Sequence, residues 1–129
     1  MYEGRTLQAV IPGGSSVPIM PPDEVEKATM DYESINEVAG SYLGSGGFIV
    51  MDDTVDLPEA LTNLLRFYAH ESCGQCTPCR EGVGRMHKVL ERVSAREATD
   101  EDLALLKDLA DNIFANYGPA AGNTGGCVG

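Results

Sequence analysis

The chain has 129 residues, 43% of them hydrophobic, and a formal net charge of −11. This acidity argues against nucleic-acid binding, which depends on Lys and Arg neutralising phosphates, and the longest apolar run, residues 48–51, is far shorter than the roughly 18 residues needed to cross a bilayer. The start of the chain lacks both regions of a signal peptide, so we expect a soluble, unsecreted protein with reduced thiols and no disulfide framework.

The first part of the chain is predicted to form short strands joined by turns. A compact apolar run at Leu7–Ile11 predicts a strand that stops at the Pro-Gly-Gly-Ser-Ser turn of residues 12–16. Residues 17–20 are predicted as a second short strand, ended by two prolines. Residues 23–36 are acidic and weakly patterned, which indicates surface structure. Residues 48–51 are the best predicted strand of the chain.

Two glycine-rich loops, residues 13–16 and 44–47, invite comparison with phosphate-binding loops. Neither is followed by a helix with Lys-Ser/Thr, as a P-loop requires, and neither fits the GxGxxG pattern ahead of a helix. Turns that need a positive φ beside the strands are the favoured interpretation.

The rest of the chain is predicted to be helical. One helix is expected from about Pro58 to His70, and a second from Thr77 as N-cap with Pro78 as its first residue. The second helix would present one apolar face, formed by Val83, Met86, Leu90 and Val93. A third should begin with the acidic turn at residues 99–102 and end near residues 116–119.

The most informative feature is a set of four cysteines. Cys73, Cys76 and Cys79 follow CxxCxxC spacing, which lets a loop wrap three thiols around one centre, and Cys127 is the remaining cysteine of the chain. Four cysteines make a complete ligand set for one iron–sulfur cluster. Cys79 would lie in the first turn of a helix, where the dipole favours a thiolate.

Zinc remains an alternative, because sites of four cysteines bind it tetrahedrally. Zinc sites typically pair two CxxC units, however, whereas here three cysteines are local and one is remote. The middle cysteine of CxxCxxC belongs to both CxxC units. A cubane, whose irons lie apart, suits this arrangement better than a single zinc ion does. Unligated thiols are the third alternative, and the two-cluster ferredoxin pattern CxxCxxCxxxCP is absent.

Other side chains give little support for catalysis, and we predict no catalytic residue. His70 lies near the cysteine loop but is expected to face solvent or cap the helix, and His87 is expected to be partly buried. No Ser/His/Asp triad or HExxH motif is visible. The acidic pairs at residues 52–53 and 100/102 fit a strand-end turn and a helix start. Four basic residues follow the cysteines closely and could equally form a solvated helix face: Arg80, Arg85, Lys88 and Arg92.

Three segments resemble the NADH-binding flavoprotein subunit of respiratory complex I and the corresponding subunits of NAD-linked hydrogenases and formate dehydrogenases. Residues 71–82, ESCGQCTPCREG, resemble its cluster-binding signature, while residues 9–18, AVIPGGSSVP, and 43–52, LGSGGFIVMD, resemble its soluble-ligand-binding-like β-grasp segment. The resemblance extends from residue 4 to about 113. It implies an α+β chain with a partial β-grasp-like segment at 1–56 and a helical cluster-binding domain at 57–129.

The resemblance also implies the ligand set and its cofactor. Cys73, Cys76 and Cys79 match the three clustered ligands of a 4Fe-4S centre, and Cys127 maps to the remote ligand. Cys127 departs from the usual Thr-x-Cys-Ala-Leu-Gly context and lies further along the chain. The family's domain that binds FMN and NADH has no counterpart here, so the chain would be a carboxy-terminal portion that does not oxidise NADH alone, with FMN and NADH bound on a partner or missing region.

The main functional hypothesis is therefore an electron-transfer module of a multisubunit oxidoreductase. It would relay electrons between an NADH-linked flavin site and a neighbouring redox centre, with flavin-bearing and ferredoxin-like subunits as partners. A structural subunit stapled by zinc or a non-redox cluster is the alternative, and a complete NADH dehydrogenase is the third. We expect no nucleic-acid partner and no direct membrane insertion. The expected location is cytoplasmic, and a peripheral position on the inner face of an energy-transducing membrane is compatible with it.

Overall fold

The computed structural model describes the backbone of residues 4–122 and the side chains of residues 4–113. The chain separates into two compact units at the junction between Asp56 and Leu57. The first unit combines strands and short helices, and the second is helical, so the predicted mixture of helix and strand is confirmed.

The first unit is built on strand β1, Leu7–Ile11, which pairs antiparallel with strand β2, Ile49–Asp52. A bulge interrupts the register between Leu7 and Ala9. Ala9, Val10 and Ile11 are all buried, as expected for a strand that is covered on both faces. The bounds predicted for this strand are confirmed.

The opposite edge of β1 is bonded at a single position. The amide of Val10 donates to the carbonyl of Met20 at 2.9 Å, and the amide of Met20 donates back at 2.8 Å. The predicted strand at residues 17–20 is therefore wrong, because only an isolated bridge forms there. Pro18 has no N–H to donate and Pro21 follows directly, so the ladder cannot extend.

The last predicted strand of this unit is shifted by one residue, to Ile49–Asp52. Among its residues only Met51 is buried, whereas Ile49, Val50 and the preceding Phe48 are exposed. In the two-stranded sheet that the described residues form, this strand pairs with β1 alone, so its other edge is an unpaired backbone edge.

Two short helices, α1 at Pro22–Val25 and α2 at Tyr32–Ala39, occupy the acidic segment between the strands. Asp31 is the N-cap of helix α2, and its carboxylate accepts a hydrogen bond from the amide of Ser34 at 2.6 Å, the usual N-cap contact. Ile35 is 3% exposed and joins the core. The segment predicted as surface structure thus contains parts of two helices and, apart from Ile35, is exposed or half-buried as expected.

The two glycine-rich loops lie against each other. The amide of Gly14 donates to the carbonyl of Gly47 at 2.9 Å, and the amide of Ser45 donates to the carbonyl of Gly13 at 3.3 Å. A Cβ on Gly13 would overlap the carbonyl of Tyr42, and a Cβ on Gly44 would overlap that of Gly13. Close backbone approach therefore requires glycine here, and Gly14 and Gly44 adopt the positive φ that a strand-flanking turn was expected to need.

The second unit contains three helices: α3 at Leu57–Glu71, α4 at Thr77–Ser94 and α5 at Asp100–Gly122. Each packs against the next along the chain. Within α4 the predicted apolar face is buried at Val83 and Leu90 and half-buried at Met86 and Val93. The hydroxyl of Thr62 bonds the carbonyl of Leu90 at 3.2 Å and so links α3 to α4.

Two predicted helix boundaries differ from the structure. The N-cap of α4 is Cys76, one residue before the predicted Thr77, because the carbonyl of Cys76 already accepts the amide of Arg80 at 2.9 Å. The predicted end of α5 at residues 116–119 is wrong, since the helix continues to Gly122. Glycine and proline lower helix propensity without fixing where a helix ends.

Helix α5 begins with the predicted acidic cap. The amide of Asp102 donates to the hydroxyl of Thr99 at 3.3 Å, while the amide of Thr99 donates to the carboxylate of Asp102 at 3.1 Å. This is a capping box. Arg92 also bonds both carboxylate oxygens of Asp102, with Nε at 3.2 Å from Oδ2, which ties the end of α4 to the start of α5.

Candidate iron–sulfur site

The candidate site is the loop between α3 and α4, with the first turn of α4. It positions three of the four predicted ligands: Cys73 is exposed, Cys76 is half-buried at the N-cap of α4, and Cys79 is 1% exposed in the first helical turn. The prediction that Cys79 lies in that turn is confirmed. Cys127 lies outside the described residues.

The start of α4 offers a favourable environment for negative sulfur. The side chain of Cys76 makes no capping hydrogen bond, and the first turn contains no acidic residue. Helix N-termini carry a partial positive charge that stabilises thiolates. Cys79 lies within that first turn and is buried, so the helix dipole favours negative charge on its sulfur while burial opposes it.

The loop itself turns at Gly74, whose φ is +73°. The amide of Gly74 donates to the hydroxyl of Ser72 at 3.3 Å, and Nη1 of Arg80 donates to the carbonyl of Gly74 at 3.0 Å. The hydroxyl of Ser72 lies 3.3 Å from Sγ of Cys79. Sequence reasoning missed these contacts; the signal available was the position of Ser72 and Arg80 directly beside the first and last cysteines of the motif.

The donor set fits an iron–sulfur cluster by its chemistry, since thiolates are the ligands that such clusters take. In the part of the chain that the structure describes, no three His, Cys, Asp or Glu side chains are grouped closely enough to hold a metal ion. The structure therefore brings the three cysteines to one loop and helix start without showing their sulfurs around a common centre.

The two histidines take no part in this loop. Nδ1 of His70 lies 2.9 Å from Oε1 of Glu71, and its side chain is 84% exposed, which is the predicted solvent-facing arrangement. His87 is partly buried, as expected, and its Nε2 lies 3.9 Å from Oε1 of Glu91.

The acidic pairs act in local structure. Asp52 accepts hydrogen bonds from Arg5 and from the hydroxyl and amide of Thr54, and these hold the pKa of its carboxyl well below the usual range, at about 2. The hydrogen bonds from Arg92, followed by the amide of Thr99, lower the pKa of Asp102 to about 2. The predicted strand-end turn and helix start are confirmed.

The basic residues after the cysteines do not act as one group. Arg92 is paired with Asp102, Arg85 and Lys88 are exposed, and Arg80 is bonded to the cysteine loop. Arg80 therefore places its guanidinium at this loop, where Nε is also paired with Glu81.

No helix in the described residues is long and apolar enough to cross a bilayer.

Three cysteines in CxxCxxC spacing, on a loop that ends at a helix N-terminus, are typical of an iron–sulfur-binding protein. Residues 59–122 match the family described as the NADH-ubiquinone oxidoreductase-F iron–sulfur binding region. Over that region the chain is similar to this family, and the predicted resemblance and the 4Fe-4S cofactor are confirmed.

Similar proteins cover most of the chain. The F subunit of NADH-quinone oxidoreductase in Rickettsia bellii is 47% identical over 119 residues, which cover 89% of this chain and 28% of the relative. The second F subunit of the same enzyme in Rhizobium meliloti is 46% identical over 120 residues, or 93% of this chain and 28% of the relative. The chain thus spans about 28% of these curated relatives.

A solved structure agrees in fold. The NAD+-reducing NiFe-hydrogenase in its air-oxidized state matches with a TM-score of 0.67 and 30% identity, covering 84% of this chain and 18% of the hydrogenase chain. The H2-reduced state of that hydrogenase matches with a TM-score of 0.64 and 29% identity. The similarity therefore includes most of the described residues.

Proposed function

We propose that the chain is an electron-transfer module that holds one 4Fe-4S cluster through Cys73, Cys76, Cys79 and Cys127. The observation that carries this proposal is the joint placement of three cysteines on one loop, with Cys79 buried in the first turn of α4. A cluster bound there would accept and release single electrons.

The residues of the chain have distinct parts in this proposal. Burial of Cys79 keeps water from one ligand, while the exposure of Cys73 leaves the outer side of the loop open to a neighbouring protein. The N-terminus of α4 stabilises negative charge. Arg80 adds a positive charge beside Gly74. Solvent access, nearby charge and hydrogen bonds to sulfur are the factors by which a protein adjusts a cluster's potential.

The electron donor we propose is an NADH-linked flavin site outside these 129 residues, and the acceptor is a neighbouring redox centre. The partners would be flavin-bearing and ferredoxin-like subunits of a multisubunit oxidoreductase. Support comes from relatives that are F subunits of NADH-quinone oxidoreductase and from the similarity to the NAD+-reducing hydrogenase. In this proposal residues 1–56 form a partial β-grasp-like segment and residues 57–129 the cluster-binding domain.

The direct test is iron and acid-labile sulfide per chain in anaerobically purified protein, with electron paramagnetic resonance after reduction. We expect about four of each and the signal of a reduced cubane. A colourless protein with one zinc per chain and no iron would support the structural alternative and overturn electron transfer.

Single Cys→Ser variants test the ligand set. Cys73→Ser, Cys76→Ser and Cys79→Ser should each lose most of the iron, whereas Gln75→Ala, an exposed change in the same loop, should keep it. Cys127→Ser tests the fourth ligand separately. A Cys127→Ser protein that retains a full, stable cubane would show that this ligand is wrongly assigned while leaving the other three intact.

A further inference from the structure

The turn between the first two cysteines is held from both sides by side chains. The amide of Gly74 donates to the hydroxyl of Ser72, and its carbonyl accepts from Nη1 of Arg80. Gly74 has a φ of +73°, a conformation that other residues adopt only with strain. The amide of Gly74 is therefore bonded to the side chain of Ser72 before the turn, and its carbonyl to the side chain of Arg80 after it.

The hydroxyl of Ser72 can serve two contacts at once. A hydroxyl has one donor and two acceptor sites, so Oγ can accept the amide of Gly74 and donate its own proton to Sγ of Cys79, 3.3 Å away. When Cys79 is a thiolate its sulfur has no proton, so in that state Ser72 must be the donor. One side chain thus couples the loop to the buried sulfur.

Both holding residues are anchored on helices. The amide of Ser72 bonds the carbonyl of Tyr68 at 3.0 Å, which continues the pattern of α3, and Arg80 lies in α4 directly after Cys79. Nε of Arg80 also bonds Oε1 of Glu81 at 3.1 Å, which orients the guanidinium. The turn is therefore fastened to the end of one helix and the start of the next.

We propose that Ser72 and Arg80 are positioning residues that preset the Cys73–Cys76 turn before any cluster binds, and that Ser72 also donates a hydrogen bond to the sulfur of Cys79. The first statement concerns the protein without iron. The second rests on the proposed function, because it concerns Cys79 as a cluster ligand. Preset geometry reduces the ordering that a ligand site must undergo on binding.

The first experiment uses the full chain without iron and follows exchange of the Gly74 amide by NMR. Ser72→Ala should speed this exchange about tenfold, the effect of losing a hydrogen bond of ordinary strength. Ser72→Thr, which keeps the hydroxyl, should restore slow exchange, and Ser94→Ala serves as a control at the other end of α4. Equal exchange in the wild type and Ser72→Ala would overturn the proposal, whether or not the protein binds iron.

The second experiment uses the iron-loaded chain. Loss of a hydrogen bond to sulfur should make the reduction potential of Ser72→Ala more negative, and Ser72→Thr should return it towards the wild-type value. An unchanged potential in Ser72→Ala would overturn the bond to Cys79. If the wild type binds no iron, the proposed function fails, while the Gly74 exchange still decides on the preset turn.

Arg80 is tested against a matched charge change on the same helix. Arg80→Gln should release iron to a chelator several-fold faster than the wild type, because the carbonyl of Gly74 loses its donor. Arg85→Gln removes the same charge from an exposed position further along α4 and should leave the release rate unchanged. Equal acceleration in both variants would indicate a general charge effect and contradict positioning by Arg80.

Discussion

Gly82 of α4 faces Ile113 of α5 so closely that a Cβ on the glycine would lie 2.9 Å from Cδ1 of the isoleucine. Gly84, two residues further on, has open space where a Cβ would be. The two glycines of one helix therefore have opposite surroundings, and the missing side chain at Gly82 is what lets α4 approach Ile113 of α5 so closely.

Alanine at these two glycines should have opposite effects on stability. Gly84→Ala should raise the free energy of unfolding by about 1 kcal/mol through helix propensity. Gly82→Ala has the same propensity gain, but its methyl forces the end of the Ile113 side chain to shift at a cost of about 1–3 kcal/mol, so we expect a net loss of up to about 2 kcal/mol. Urea unfolding of the two variants measures both.

A double variant checks the cause of the Gly82 effect. Ile113→Val removes the Cδ1 atom that the new methyl would meet, so Gly82→Ala should cost less in its presence than alone. Additive costs, or a Gly82→Ala protein as stable as Gly84→Ala, would contradict the proposed clash.

Arg96 follows α4 with a φ of +60°, the one such non-glycine residue in the described part of the chain. The amide of Arg96 bonds the carbonyl of Val93 and that of Glu97 bonds the carbonyl of Arg92, which is the Schellman pattern that usually has glycine at this position. Arg96→Gly should therefore raise the free energy of unfolding by about 1 kcal/mol, as measured by thermal unfolding. Arg96→Ala keeps the strain and should give no such gain; equal stabilisation by both would point to the lost charge instead.

Acid should weaken the junction between α4 and α5. The pKa of Asp102 in the folded protein is about 2, below its ordinary value of 3.8, mainly because Arg92 donates to its carboxylate. A carboxyl whose pKa is lowered by folding stabilises the folded protein at pH values above its unfolded pKa. This stabilisation is lost as the pH falls from about 4 towards 2. Asp102→Asn should therefore flatten the fall of the unfolding free energy over that range.

The control for the acid experiment is Asp100→Asn, an exposed position in the same first turn of α5 that takes no part in the pair with Arg92. It removes the same charge near the helix N-terminus. If it flattens the pH profile as much as Asp102→Asn, the ion pair is not the cause. Chemical denaturation at a series of pH values supplies the comparison.

The contact between the two glycine-rich loops should be where an added side chain destabilises the first unit most. Gly13→Ala would place a methyl against the backbone of Tyr42 and Leu43, which cannot rotate away, so we expect a loss of about 3 kcal/mol or more. Gly46→Ala meets no neighbouring atom but keeps a φ of +72°, so about 1–2 kcal/mol is expected. Loss of the β1 amide signals in NMR would report the destabilisation by Gly13→Ala. Similar stability of Gly13→Ala and Gly46→Ala would contradict the predicted backbone clash.

Sequence patterns predicted the elements that have strong local signals. Leu7–Ile11 is a compact apolar run that ends in Pro-Gly-Gly, and the apolar stripe of α4 repeats at helical spacing. Helices α1 and α2 were missed because they are short, acidic and bury little besides Ile35. The strand at residues 17–20 was overpredicted, since apolar composition does not reveal that Pro18 cannot donate to a ladder.

Spacing found the cysteines but not their surroundings. That Cys73, Cys76 and Cys79 share one loop follows from CxxCxxC alone. The bonds of Ser72 and Arg80 to Gly74 depend on the positive φ of that glycine and on where α3 ends and α4 begins. Those features result from tertiary packing, which a linear pattern does not encode.

The two units differ in how far along the chain their contacts reach. Arg5 and Asp52, which are bonded in the first unit, are 47 positions apart in sequence, whereas each helix of the second unit packs on its immediate successor. Contacts between distant positions form slowly because a long loop must close first. We therefore expect the first unit, which leaves the ribosome first, to reach its native state more slowly than the second, to which the cysteine loop belongs.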